Sequence, residues 1–250
     1  MQSFRLILDQ ARSATLNMAI DEYLVNSQNI EASEPVLRFY SWNKPSITIG
    51  YFQTIENISQ KLNAEKKGIP VVRRISGGGA VEHGKDLTFS LITQSKNPFF
   101  STDVKSSYLR IHEAIRVGLK DLYPHLDYAD CRTVPTGKRQ SGERICFDQP
   151  ACYDLLLAGK KILGSSQRRI EKNLLHQSSM FFSFERELLI QNILKGFEFL
   201  WKVRFEEKPL SEQELNEARK LEEKRYSSPD WACPVYFSKK VDQIGEFVRS

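Results

Sequence analysis

An apolar run from Ile69 to Ile75 reads as a β-strand that leads into three consecutive glycines, Gly77-Gly78-Gly79, and Leu87 to Thr93 alternates well enough to be the returning strand. The chain is thereby required to carry a glycine loop beside a sheet. Without a Cβ, glycine lets backbone N–H groups approach a ligand closely, and successive N–H groups in such a turn can form an anion-binding nest. Taken alone, three glycines equally fit a flexible hairpin turn. The string has neither the spacing of a phosphate-binding loop nor that of a dinucleotide fingerprint.

The rest of the chain supplies strands and helices in alternation. Phe4 to Leu8 is a short apolar strand, and Thr15 precedes a helical pattern with Leu16, Ile20, Tyr23 and Leu24 on one face. Val36 to Trp42 and Ser46 to Gly50 read as a hairpin about the turn Asn43-Lys44-Pro45. Asp103 is placed to cap a helix carrying Tyr108, Ile111, Ile115, Leu119 and Leu122, and Tyr128 to Gln149 reads as a long loop. Tyr153 to Leu157 and Lys161 to Leu163 form a second hairpin about Ala158-Gly159, and Leu174 to Phe182 is a further strand. Helices follow at Glu185 to Leu194 and at Ser211 to Arg225, the latter opened by a capping box of Ser211 and Glu214. Hairpin-like strand pairs with helices between them predict an α+β fold with a mixed, mainly antiparallel sheet and packed helices.

Composition narrows the function. With 250 residues and 40% apolar content the chain can bury one sizeable core. The net charge of +5 is spread along the sequence without a basic arm or a ribonucleoprotein motif, so no nucleic-acid partner is expected. The amino terminus lacks a secretory pattern, and no stretch approaches the roughly 20 apolar residues of a membrane span. A cytoplasmic protein without a membrane partner is expected. Cys131, Cys146, Cys152 and Cys233 fit neither a CxxC pair nor a dense disulfide framework and are expected as free thiols. No His, Cys and carboxylate set has metal-ligand spacing, so no metal is expected.

Two blocks carry a specific resemblance. Arg73-Arg74-Ile75-Ser76-Gly77-Gly78-Gly79-Ala80-Val81 with His83, followed by Asp86-Leu87-Thr88-Phe89-Ser90, resembles the signature of the lipoate-protein ligase and octanoyltransferase family. Gly159-Lys160-Lys161-Ile162-Leu163-Gly164-Ser165-Ser166-Gln167-Arg168 is similar to its G-[RK]-K segment, and Leu175-His176-Gln177-Ser178-Ser179 to the strand after it. Asn17 to Glu22, Trp42 with Pro45, and Tyr226 to Trp231 match weaker family positions in the same order.

The resemblance implies a catalytic domain over residues 1–232 related to that of biotin-protein ligases, with a short carboxy-terminal extension over 233–250 and no accessory domain. It implies an acyl or lipoyl site built from Arg73, Ser76, Gly77, Gly78, Gly79, Ala80, His83, Gly164, Ser165 and His176, with Lys161 touching the acyl carbonyl. From local sequence alone Lys161 would pass for a solvated turn lysine, and His83 and His176 for structural histidines. Glu82 departs from the large apolar residue common after this glycine string, which implies a more polar lining.

Cys146 decides between mechanisms. Cys146-Phe147-Asp148-Gln149-Pro150-Ala151-Cys152-Tyr153-Asp154-Leu155 resembles the C-F-x-x-P-x-x-[YF]-[DE] loop of cysteine-dependent octanoyltransferases. ATP-dependent ligases usually carry an Arg-Asn-Asp run there, of which only Asp154 remains, whereas the intact Gly-Gly-Gly is closer to the ligases. The favoured expectation is octanoyl transfer from acyl carrier protein to a lysine of a lipoyl-carrier domain, of a 2-oxoacid dehydrogenase or of the glycine cleavage H protein. Cys146 would be the nucleophile, Lys161 would stabilise thiolate and oxyanion, and no cofactor would be needed. One alternative is an ATP- and Mg-dependent lipoate ligase with Arg73, Lys161 and Asp154 at the nucleotide. Another is a non-catalytic lipoyl-domain binding module or one half of a two-part ligase. The transferase reading expects the glycine loop and the Lys161 hairpin to face each other across an elongated apolar cleft, with a partly exposed Cys146 sulfur near Lys161.

Overall fold

The computed structural model describes residues 1–28, 33–100, 103–134, 144–228 and 231. The strands are β1 (Ser3–Arg12), β2 (Val36–Trp42), β3 (Ser46–Ile49), β4 (Val71–Arg73), β5 (Val81–His83), β6 (Leu87–Gln94), β7 (Leu126–Tyr128), β8 (Leu155–Leu157), β9 (Lys160–Ile170), β10 (Asn173–Met180) and β11 (Arg204–Glu207). The helices are α1 (Ala14–Ser27), α2 (Ile55–Leu62), α3 (Ala64–Lys67), α4 (Val104–Leu119), α5 (Arg186–Trp201) and α6 (Glu212–Leu221), and Glu222–Tyr226 continues α6 as a π-helical turn.

An eight-stranded sheet runs β11-β1-β2-β6-β10-β9-β8-β7, beside a three-stranded sheet β4-β3-β5. The large sheet is parallel at β11–β1 and β1–β2 and antiparallel elsewhere, so the expected mixed, mainly antiparallel α+β architecture is what forms. The period of two along β6 builds both layers. Leu87, Phe89 and Leu91 join Ile111, Ile115, Leu119, Ile193 and Phe197 of α4 and α5 in one core, while Ile92 joins Ile20 and Leu24 of α1 in another. Among the described residues no helix is long and apolar enough to cross a membrane.

Local signals held where local chemistry suffices. Asp103 caps α4 by accepting from the N–H groups of Lys105 and Ser106, and Ser211 with Glu214 forms the capping box of α6. The first helix starts two residues earlier than expected, at Ala14 with Ser13 as its cap.

The hairpin expected from Val36–Trp42 and Ser46–Gly50 does not form. Both edges of β2 are occupied, by β1 and β6, so β3 leaves the large sheet and becomes the centre of the small one. For the same reason the strand that returns after the glycine loop is the three-residue β5, not β6, which belongs to the large sheet. The expected loop from Tyr128 to Gln149 is structured at both described ends. Tyr128 closes β7, Ile145 bridges to Ala80, and 135–143 lie outside the described residues. Cys233 and the expected extension over 233–250 also lie outside them.

Candidate active site

The glycine loop leaves β4 and docks a second segment of backbone. Ala80 N–H donates to Arg144 O at 2.7 Å and Ala80 O accepts from Cys146 N–H at 2.7 Å, so the strip carrying Cys146 is hydrogen-bonded to the loop on both sides of Ile145. Gly79 allows this approach, because a Cβ there would lie 2.8 Å from Arg144 O and 3.0 Å from Cys146 N. The glycines thus position another segment of protein as well as lining a cavity.

Lys161, at the start of β9, meets Cys146 from the other side. Its Nζ is 3.3 Å from Cys146 Sγ, 2.8 Å from Cys146 O and 2.7 Å from Asp154 Oδ2. The Lys161 and Asp154 side chains are 3% and 1% exposed, so this ion pair is screened from water, and the remaining N–H bonds are directed at the cysteine. Gly164 makes room for the lysine, since a Cβ would collide with Lys161 Cε and lie 2.7 Å from Nζ and 3.3 Å from Cys146 Sγ. Among the described residues Cys146 carries the free thiol, and it is half-buried.

Cys146 lines two cavities. The larger, of about 310 Å³, is bounded by Gly77, Gly78 and Gly79 on one side and by Lys161, Ser165 and Tyr108 on the other. A smaller inner one, of about 30 Å³, is walled by Met18, Tyr40, Trp42, Arg74, Val81 and Gly164. The expected facing of glycine loop and Lys161 hairpin is therefore present across a mainly apolar cavity, to which Lys105, Arg144 and Gln167 add polar groups.

The remaining expected site residues divide. Arg73 does not reach either cavity: it is buried and donates to the carbonyls of Tyr51, Gln53 and Trp231, bracing the small sheet. Its neighbour Arg74 takes the place read for it, holding the carbonyls of Gly77 and Gly79 at 2.6 and 2.8 Å. Burial presses the Arg74 guanidinium below its usual pKa. Adjacent strand residues point to opposite sides, and the local sequence does not say which side holds the cavity.

Ser76 lies under the loop, bonded to Ser166 at 2.8 Å and Gln177 at 2.5 Å. His83 lines the inner cavity but is tied to Thr48 and Asp86, each at 2.8 Å, and stacked on Trp42. Burial pushes the Asp86 carboxyl up, yet contact with His83 and hydrogen bonds from Ser179 and Thr88 outweigh it and hold the group well below the usual carboxylate range. His176 is fully buried behind the site, bonded to Gln167 and Ser178. Glu82 is exposed and does not alter the lining. Asp154 serves as the partner of Lys161.

Two features were not read from sequence. Cys131 and Cys152, expected as free thiols, form a disulfide with a Cα separation of 4.5 Å. They meet because the β7–β8 pairing continues through Ala129 N–H to Asp154 O and Tyr153 N–H to Ala129 O, which brings residues 21 apart in sequence opposite one another. His112 of α4 is the second, bonded to Tyr153 O at 2.6 Å and Ser165 Oγ at 2.7 Å. It follows Tyr108 by four residues on the buried stripe of that helix, a spacing that could have singled it out.

Comparison with known proteins places this geometry. The lipoyl protein ligase A/B catalytic domain matches residues 13–200. A protein of Carboxydothermus hydrogenoformans named octanoyltransferase LipM is 35% identical over 76% of this chain and 69% of its own length. The Bacillus subtilis protein of the same name is 28% identical over 92% of this chain and 98% of its own. Among solved structures, a lipoate-protein ligase A bound with ATP superposes with a TM-score of 0.76 at 24% identity, covering 93% of this chain and 98% of that one. A bi-partite lipoate protein ligase from Thermoplasma acidophilum gives 0.74 at 23% identity, covering 93% and 96%. At these identities the two structures speak to the fold alone.

Proposed function

This chain belongs to the lipoyl protein ligase A/B catalytic domain family, and from that premise we propose that it transfers an octanoyl group from acyl carrier protein to a lysine of a lipoyl-carrier domain through an acyl-enzyme on Cys146. The observation that carries the reading is the approach of Lys161 Nζ to Cys146 Sγ at 3.3 Å in a cavity lined by the glycine loop. The thiolate is the nucleophilic form of cysteine, and the Lys161 ammonium lies beside the sulfur. The thiolate attacks the thioester carbonyl of the donor, the carbonyl electron pair moves to oxygen, and the donor thiolate leaves. Lys161 provides the positive side of the site on which the oxyanion develops. The carrier lysine then attacks the acyl-enzyme.

The octanoyltransferase names of the relatives support this reading, as do the residues that a nucleotide would need. Arg73 is consumed by backbone carbonyls and Asp154 is paired with Lys161, so this trio fits thiol chemistry and does not fit a nucleotide site. One catalytic domain over residues 1–232 carries the reaction. Its partners are the acyl carrier protein and the lipoyl-carrier domains of 2-oxoacid dehydrogenases or the H protein.

The test is to give the protein a lipoyl domain with either octanoyl carrier protein and no nucleotide, or free lipoate with ATP and Mg. Octanoylation in the first mixture is expected. Modification confined to the second would replace the transferase reading with that of a ligase.

A further inference from the structure

Behind the thiol runs a hydrogen-bonded chain whose direction can be worked out from one end. Tyr153 O can only accept, so His112 Nδ1, 2.6 Å away, carries the proton. Burial lowers the His112 pKa and keeps the ring neutral, which leaves Nε2 as an acceptor. Ser165 Oγ, 2.7 Å from Nε2, therefore donates its hydrogen to His112. Ser178 Oγ, 2.7 Å from Ser165 Oγ, must then donate to it, and accepts in turn from His176 Nε2 at 2.9 Å. A hydroxyl has one hydrogen and two acceptor positions. Among the described residues Ser165 Oγ has spent its hydrogen on His112 and one acceptor position on Ser178, so one acceptor position is left. Ser165 is half-buried and lines the same two cavities as Cys146.

An acceptor backed by a neutral imidazole fits a group that must lose a proton. The Lys161 ammonium is not such a base, since it donates to Asp154 and to both Cys146 O and Cys146 Sγ. We infer that Ser165 and His112 form the proton relay that deprotonates the incoming primary amine during its attack on the Cys146 acyl-enzyme. The inference rests on the proposed acyl-enzyme. The amine arrives neutral, having left one proton in solvent. Its lone pair forms the C–N bond while the carbonyl pair moves to oxygen. One N–H proton passes to Ser165 Oγ as the Ser165 hydrogen passes to His112 Nε2. The oxygen pair then restores the carbonyl, and the C–S bond breaks with its electrons on Cys146 Sγ, facing Lys161. His112 afterwards returns its proton to solvent through the same hydroxyl. The groups around the ring are Asp154, which favours the imidazolium, Lys161, which opposes it, and Tyr108 and His176 in ring contact.

Ser165 would touch the substrate amine, whereas His112 acts through it as a positioning residue. The two half-reactions separate this role from a structural one. Octanoyl-enzyme is formed with octanoyl carrier protein, isolated, and mixed with a lipoyl domain. Ser165→Ala and His112→Gln are expected to slow transfer by about 100-fold more than they slow acylation, the usual scale of general-base catalysis. Ser165→Thr, which keeps a hydroxyl, restores transfer. Hydroxylamine, a reactive amine already unprotonated at neutral pH, clears the Ser165→Ala acyl-enzyme at the wild-type rate. Equal slowing of both half-reactions, or a hydroxylamine reaction as slow as transfer, would reduce the pair to scaffolding and overturn the relay. Unchanged transfer in Ser165→Ala overturns it as well. A wild-type protein that takes no acyl group on Cys146 overturns the proposed function itself, a failure distinct from these.

Discussion

Lys161 Nζ lies 3.3 Å from Cys146 Sγ while its charge is anchored 2.7 Å away on Asp154 Oδ2. The lysine comes from a hairpin and the cysteine from a strip of chain held by the glycine loop, so the pair exists only when both are in place. Lys161→Ala should abolish acyl transfer and leave a folded protein. Because Asp154 would lose the partner of a buried pair, stability should fall by about 3 kcal/mol, on the scale of breaking such pairs. Transfer assays and urea unfolding measure the two effects, and normal transfer would remove Lys161 from the mechanism.

Gly79→Ala tests whether the loop holds the cysteine strip. The added Cβ would press on Arg144 O at 2.8 Å and Cys146 N at 3.0 Å, and both belong to the strip that must move. Displacing a reactive group by ~1 Å costs on the order of 100-fold in rate. The variant should therefore lose about that much kcat while keeping its thermal midpoint near that of the wild type. An unaffected kcat would mean that the strip is positioned by something else.

The Cys131–Cys152 disulfide should contribute stability and not chemistry. It closes a loop of 21 residues, which constrains the unfolded chain by about 3 kcal/mol. Oxidised Cys131→Ser should unfold at lower urea with octanoyl transfer retained. Loss of transfer with unchanged stability would instead tie the disulfide to the reaction.

Burial holds His112 below the ordinary imidazole pKa of 6.5 and His176 well below it. A lowered histidine pKa means that the unfolded chain binds more protons than the native one once pH falls through the ordinary value of 6.5, so stability drops on acidification from there. Urea midpoints measured from neutral pH down to about pH 5 should decline. The decline should be shallower in His112→Gln. A flat profile would mean that these rings are not buried in neutral form.

What the sequence made legible follows the range of the physics involved. Caps at Asp103 and Ser211 and the hairpin about Ala158-Gly159 depend on neighbours in the chain and stood where they were read. The motif blocks likewise brought Cys146, Lys161 and the glycine loop to one place. The position of β3 was not legible, because it depends on β1 and β6 having taken both edges of β2. The exchange of Arg73 for Arg74 turned on which side of a three-residue strand faces the cavity. The Cys131–Cys152 pair needed the β7–β8 register, and His112 gained its partner only when β9 was laid against α4.

The acyl-enzyme is most directly tested by intact-protein mass after incubation with octanoyl carrier protein in the absence of ATP. A gain of one octanoyl group, mapped to Cys146, lost in Cys146→Ala and retained in Cys131→Ser, is the result expected. Full transfer activity in Cys146→Ala, with that activity requiring ATP, would contradict it and leave the thiol a bystander.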